Sequence, residues 1–376
     1  MAVSSALLLL LSSLFSYDIS LSTANNDVDR AITSLYNYDF VGSLSSLEEG
    51  RSKDPKHPLI DFLVTTNKWL LTQSSKGFVE SYDSLRYYAD ISEVRYLDLV
   101  SLYPDVGEYR LYLGSLYGLR SRVSLGNKDW IDAFYYAYFG YSYIQQAYEI
   151  NPNIEDINLT FGMMEYFMCR SSRYIQVLGS AFGVSSDCEN ALSKMDRAVR
   201  NSRYSRVEAM NTLTYAYLHF EQKPGLAHPH IETLYNEFPG HPYFKFLYAE
   251  SLIKNGYLDD ARIMVKELED VVANSVAYQK VECSTKLDYI NLLLRFEDGD
   301  YQEAIIKATE IIDSYRMEMD WVLLFSYIIR AKSYDLIGDR RRAADNFRVA
   351  SRMNSYYKAS KQAKIYIKTP YTYKGE

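Results

Sequence analysis

The sequence predicts an all-α fold, a solenoid of antiparallel helix pairs with about seven to eight pairs and a C-terminal capping helix. Three observations predict it. A short turn that opens a new helix recurs every 35 to 60 residues or so: Tyr38-Asp39-Phe40, Asn255-Gly256-Tyr257-Leu258-Asp259, Gly299-Asp300-Tyr301-Gln302-Glu303-Ala304 and Ile337-Gly338-Asp339, with a looser copy from Gly126 to Ala133. Apolar residues between the turns keep a helical period, and small residues such as Ala133, Gly140 and Ala147 return every seven positions, where two helices must touch. With only nine Pro, 48% hydrophobic and 24% charged residues, the chain has the composition of a folded helical protein and not of a disordered one.

The elements follow in order. Asp27 to Tyr36 reads as a first helix, turning at Tyr38-Asp39-Phe40 into a second that runs to Pro55. Residues 59–103 keep a helical period but form a degenerate pair, broken at Gly77 and halted by Pro104. The next pair begins near Tyr109, turns between Gly126 and Asp129, and closes at Asn151-Pro152. A helix around Gly162 then meets an interruption, the apolar stretch 174–184 within an insert of about 171–186, before Ser186-Asp187 caps a partner helix carrying Ala191, Met195 and Ala198. Such an insert either packs into the core as a short extra helix or projects from one face of the stack, where binding surfaces are often found. Val207 to Phe220 and Ala227 to Pro239 restore the pattern, and three further pairs follow, marked by Ala249 with Ala261, Ala304, and Ala331 with Ala343. Residues 356–376 read as a basic capping helix and tail, since a solenoid needs a polar end.

With Pro55 at position 32 of a 34-residue unit, Ala31, Ser43, Leu47 and Gly50 fall at positions 8, 20, 24 and 27. This resembles the tetratricopeptide repeat, which wants small residues at 8, 20 and 27 and Pro at 32. Pro152 and Pro239 close units in the same way, and the resemblance covers most of residues 25–355. Departures exist: Arg330 stands where the pattern prefers Leu, and Leu292 where it prefers a small residue. The resemblance implies a right-handed solenoid whose concave groove, lined by first helices, takes a peptide or partner subunit. Groove positions would be Tyr243, Phe246, Glu250 and Ile253 in one unit, and Lys286, Tyr289, Leu293 and Phe296 in the next.

Thirty-seven Tyr is a large number, and those in segments such as Ala133 to Tyr141 read as filling seams between helices. No phosphate-binding Gly-rich loop, His-Glu-x-x-His, Gly-x-Ser-x-Gly or Cys-x-x-Cys is found, so no catalytic, cofactor or metal residue is assigned and the chain reads as a non-enzyme. Four of its five His lie between 219 and 241 with Glu221 and Glu237. His241, however, repeats the Pro-x-His-Pro boundary seen at His57, and His228 precedes Pro229 in what reads as a connection. Asn158-Leu159-Thr160 matches a glycosylation acceptor but falls where a packed helix is expected.

The three Cys, at 169, 188 and 283, cannot all pair within one chain, and they read as buried thiols with at most one bridge, Cys169 to Cys188. Ala6 to Phe15 is too short to span a bilayer but suits a signal-peptide core, with Ser22-Thr23-Ala24 offering a cleavage site; residues 1–24 are thus expected to be an export signal, though no Lys or Arg precedes the run. From Arg340 onward ten Lys and Arg face only Asp345 and Glu376, a balance of +8 in a chain of net charge −7. That basic end reads as the cap, with peripheral contact to an anionic membrane as its other use; nucleic acid is not expected. The function these features imply is an interaction scaffold of the periplasm or cell envelope, or of the cytoplasm if the N-terminal run is retained. The alternative is an exported carrier for a glycan or small ligand, built on the Tyr-rich walls and the apolar insert.

Overall fold

A computed structural model describes residues 17–317, 321–353 and 357–372, and among them every regular element is a helix. Consecutive helices pair as eight antiparallel hairpins, with one short helix inserted and one added at the end. The all-α architecture of paired helices is therefore the one the repeat spacing predicts. The chain divides into two compact units, Met1–Cys169 with Gln176–Ala209, and Arg170–Ile175 with Met210–Glu376.

In the first unit α1 (Asn25–Tyr36) turns into α2 (Phe40–Lys53), where the Asp39 carboxylate accepts from the Gly42 amide and so satisfies one orphan donor of the new helix. Helices α3 (Ile60–Lys76) and α4 (Phe78–Leu102) form the pair without repeat signature, followed by α5 (Gly107–Gly126) and α6 (Trp130–Ile150). The α5–α6 crossing is held by the absence of side chains: a Cβ on Gly140 would lie 2.9 Å from the Gly114 carbonyl oxygen, and one on Gly114 would lie 2.7 Å from that of Gly140. The same device recurs where α7 (Ile157–Arg170) meets α9 (Cys188–Asn201), because a Cβ on Gly162 would strike Met195 and the Ala191 carbonyl. Between them lies α8 (Arg173–Ala181), in the loop closed by a Cys169–Cys188 disulfide; its Gly179 packs against Met168, while Val177 and Leu178 are exposed. Both outcomes weighed for the insert are thus partly realised.

The aromatic run Ala133 to Tyr141 departs from its expected place. Tyr141 is buried, but Phe134, Tyr135, Tyr138 and Phe139 are exposed, because the stripe of Ala133, Gly140, Ile144 and Ala147 makes the close approach to α5; Tyr136, Phe139 and Tyr143 flank it, with their rings 5.9, 6.3 and 5.7 Å from that of Tyr117 on α5. The apolar run Ala6 to Phe15 lies outside the described residues. From Tyr17 on the chain is packed: the Tyr17 and Ser22 hydroxyls both donate to the Asp54 carboxylate, and Ala24 is wholly buried.

The second unit begins in α10 (Arg206–Tyr215), which continues as a π-helical turn over Ala216–Glu221, and pairs with α11 (Pro224–Glu237). His228 and Pro229 lie inside α11 and not in a connection, Pro224 having started the helix early at its first turn. Helices α12 (Pro242–Lys254), α13 (Leu258–Asn274), α14 (Ala277–Glu297), α15 (Tyr301–Ser314), α16 (Trp321–Leu336) and α17 (Arg340–Arg352) complete three more pairs. Gly256, Gly299 and Gly338 turn the corners at φ of 82°, 79° and 88°, a conformation that costs side-chain-bearing residues energy. Arg330, where the repeat prefers Leu, reaches Asn346 and Thr309 and ties α16 to both flanking second helices. Finally α18 (Lys358–Tyr366) buries Ala359 and Ala363, while Arg340 donates to the carbonyls of Tyr366 and Ile367 at its end.

The glycine contacts make two opposite predictions for α5 and α6. Gly140→Ala pushes a methyl group into the Gly114 backbone and should lower stability by about 1–3 kcal/mol. Gly118→Ala, one turn from Gly114 with nothing within 4 Å of its Cβ, should raise it by up to about 1 kcal/mol through helix propensity. Urea melts of both variants check the pair, and equal effects of the same sign would refute the close-approach reading.

Candidate binding cleft

The second unit carries a narrow cleft lined by Tyr215, Tyr243, Phe246, Leu247, Glu250, Lys286, Tyr289, Ile290 and Trp321. These residues come from α10, α12, α14 and α16, the first helices of four consecutive pairs, and among the described residues no second helix contributes. Side chains on first helices at a spacing of three or four fall on one stripe, and adjacent pairs set these stripes side by side. Aromatic packing forms the wall: Trp321 meets Tyr289 edge-on at 5.3 Å and Tyr215 at 6.1 Å, and stacks on the His219 ring at 4.2 Å. Counted out to open solvent the cleft measures about 280 Å³, yet the centre of a water-sized sphere has only about 10 Å³ in which to move. It admits a water molecule or the tip of a side chain, not a small-molecule ligand, which needs several hundred Å³.

Beneath the wall Glu250 is buried and fully engaged. It accepts from His219 Nε2 at 2.9 Å, Lys254 Nζ at 2.7 Å and the Tyr289 hydroxyl at 3.3 Å. Burial raises the Glu250 pKa, but the two nitrogen partners outweigh it and hold the carboxyl down at about 2. Burial pushes the His219 pKa down against the pull of Glu250, and its Nδ1 is buried with no hydrogen-bond partner. Lys254, one turn along the same helix, is the permanent counter-charge of the carboxylate. At the mouth Lys286 Nζ sits 3.7 Å from the centre of the Tyr243 ring, and the Tyr243 hydroxyl donates to the buried Glu282. Desolvation draws the Lys286 pKa down while Glu282 draws it up. Among the described residues of the cleft no nucleophile is paired with a free base, and the carboxylate is locked in its ion pair.

Of the eight predicted groove residues, Tyr243, Phe246, Glu250, Lys286 and Tyr289 line the cleft. Ile253, Leu293 and Phe296 do not: they are buried in the core of the unit. The chain covers the C-terminal halves of α12 and α14, with Lys332 Nζ over the Phe296 ring at 5.9 Å and Tyr371 6.5 Å from it. The repeat positions do not point to Tyr215 and Trp321: counted from Ala227 at position 20, Tyr215 falls at position 8, and counted from Ala331 at position 8, Trp321 precedes position 1, so only the packing of their helices brings them to the wall. The histidines do not converge, and no group of three His, Cys, Asp or Glu suited to a metal exists among the described residues. His57 Nδ1 accepts from the Leu59 amide and His241 Nδ1 from the Phe244 amide, so both boundary histidines start helices.

No family model matches the chain, and no curated protein matches it. Solved structures to which it is similar include a tetratricopeptide repeat protein from Parabacteroides merdae ATCC 43184, at 12% identity over 91% of this chain and 98% of that one, with a TM-score of 0.29. Another is the P58(IPK) TPR domain, at 12% identity over 92% and 98%, with a TM-score of 0.26. Scores of this size do not superpose whole bodies, and the helix pairing stands on this chain's own packing.

Acid should loosen this unit in a definite window. Burial, then the nearby Lys286 charge, pushes His241 from 6.5 to about 3, so the unfolded chain takes the proton first. Its stabilising contribution is complete above about pH 6.5 and falls as pH drops toward 3; His219 acts with the same sign, and Glu250 adds its loss only between 4.5 and 2. His241→Asn keeps a cap acceptor without a titrating ring. Its melting temperature should lie below the parent's at pH 7.5, because the ring stacked on Phe244 at 3.6 Å is lost, but should fall less steeply between pH 6.5 and 4, and an unchanged slope would exclude His241 as a source of acid sensitivity.

Proposed function

We propose that this protein is a non-enzymatic interaction scaffold of the cell envelope, which takes a peptide or partner subunit along the first-helix face of its second unit. One observation carries the reading: the cleft is made wholly by first helices of consecutive pairs, so an extended or helical guest can touch several repeats at once. Tyr243 and Lys286 at the mouth supply an aromatic surface and a positive charge, while Trp321 and Tyr289 keep the wall rigid. A glycan or small-ligand carrier fits less well, because a sugar ring does not enter the space available. The Cys169–Cys188 bridge favours an oxidising compartment and hence export.

The binding test uses residues whose loss spares the core. Phe246 and Tyr289 are buried and their removal would unfold the unit, whereas Tyr243 and Lys286 are only half-buried. Tyr243→Ala with Lys286→Ala, made on a Glu282→Gln background so that no buried carboxylate is stranded, should abolish recovery of the protein partner from envelope extract relative to Glu282→Gln alone, a loss of about 2 kcal/mol or more in affinity, with the helicity seen by circular dichroism retained. Full recovery by the folded double variant would sink the cleft as the binding face. The compartment is tested separately by mass spectrometry of the native chain under non-reducing conditions: one titratable thiol, Cys283, is expected, and three would contradict export to an oxidising compartment.

A further inference from the structure

We infer that the exposed aromatic face of α6 in the first unit is a self-association surface, on which a second copy of this chain packs around a two-fold axis. Helix α6 has two apolar stripes. Ala133, Gly140, Ile144 and Ala147 are spent against α5, while Ile131, Phe134, Tyr135, Tyr138 and Phe139 repeat at steps of three and four on the opposite side and face solvent. Phe182, just past α8, extends this second stripe sideways: its ring lies 5.9 Å from Phe134 and 5.0 Å from Tyr138, and the Tyr141 hydroxyl holds the adjoining Gly183 carbonyl at 3.0 Å. The patch is therefore continuous across two elements and anchored, with the disulfide closing the loop that carries Phe182.

Its size decides what covers it. Exposure along the patch runs from 36% at Phe139 to 82% at Ile131, with Trp130 at 67%. At on the order of 150–250 Å² per large side chain, the seven side chains of the patch leave roughly 550–900 Å² bare. That lies at or above the largest patch of about 300–600 Å² that a monomer ordinarily leaves open, and its upper end reaches the share of about 800 Å² per partner in a stable interface. An anionic bilayer is a poor occupant, because Asp129 and Asp132 outnumber Lys128 at the rim of the patch and the chain as a whole carries −7. A second copy meets the requirement without a further component. The stripe crosses its own image antiparallel about its midpoint, Tyr135 lies near the axis, and Ile131 of one copy meets Tyr138 and Phe139 of the other. No charged residue lies between Asp132 and Glu149, so the centre of such a contact desolvates no charge.

Sedimentation velocity of the full chain at micromolar concentrations should show a species of twice the 43.6 kDa chain mass, in exchange with monomer. Ile131→Glu with Tyr138→Glu should shift the dissociation midpoint upward roughly a hundred-fold or more while leaving the circular dichroism unchanged. Under mild oxidation Tyr135→Cys should cross-link to a covalent dimer, and Asp259→Cys, an exposed control in the other unit, should not. A wild-type chain that stays monomeric, a dimer indifferent to the double variant with no cross-link at position 135, or vesicle flotation on phosphatidylglycerol and phosphatidylethanolamine in place of dimerisation would each overturn the inference. Should the double variant lose helicity, the cross-link alone decides.

Discussion

Two helices can lie side by side only as closely as their side chains permit, and in this chain that constraint is met by leaving side chains out. At the α5–α6 crossing the backbones of Gly114 and Gly140 face each other with no room for a methyl group on either, and Gly162 does the same against Ala191 and Met195. Wholly buried alanines, among them Ala261, Ala304, Ala308 and Ala343, occupy the equivalent crossings of the second unit. Close approach brings the aromatic and aliphatic residues that flank each small one into contact, and that contact supplies most of the buried area. The corners serve the same end, since an Asp cap or a left-handed glycine lets the second helix start at once and return along the first.

The same economy explains the chemistry of the cleft. A first helix packs against its own partner on one side and the neighbouring pair on another, leaving a single stripe that is neither core nor free surface. A carboxylate on such a stripe is costly to desolvate unless it is paired, and Glu250 is paired three times over, with His219, Lys254 and Tyr289. Those partners come from three first helices and so fix their spacing. The ion pair thus acts on the wall by holding Tyr289 and, through His219, Trp321 in place, and the residues left to meet a guest are the half-buried Tyr243 and Lys286.

What the sequence makes legible follows from the range of the forces involved. Corners and caps are local, so Gly299-Asp300 or Asp187 can be read from a few residues, and the small-residue register is periodic and can be counted. Depth along a helix is neither. Tyr243, Phe246, Glu250 and Ile253 form one stripe by spacing alone, but Ile253 lies one turn too far along, where the chain has closed over it; Phe296 shares that fate because Tyr371 and Lys332 fold back onto it from far downstream. His228 was misplaced for another reason, since Pro229 reads as a breaker yet sits in a helix that Pro224 had already begun.

Helix α6 shows where periodicity stops informing. Its apolar residues are dense enough to satisfy the helical period on two opposite sides, so the pattern identifies a helix without saying which side faces the partner. The choice is made by size: Gly140 and Ala147 permit close approach and take the inner face, Tyr136 and Tyr143 flank the crossing against Tyr117, and Phe134, Tyr135 and Tyr138 are left on the outer face. An aromatic-rich segment is therefore buried or bare according to the small residues interleaved with it, and here those small residues place Phe134, Tyr135, Tyr138 and Phe139 on the solvent side of the first unit.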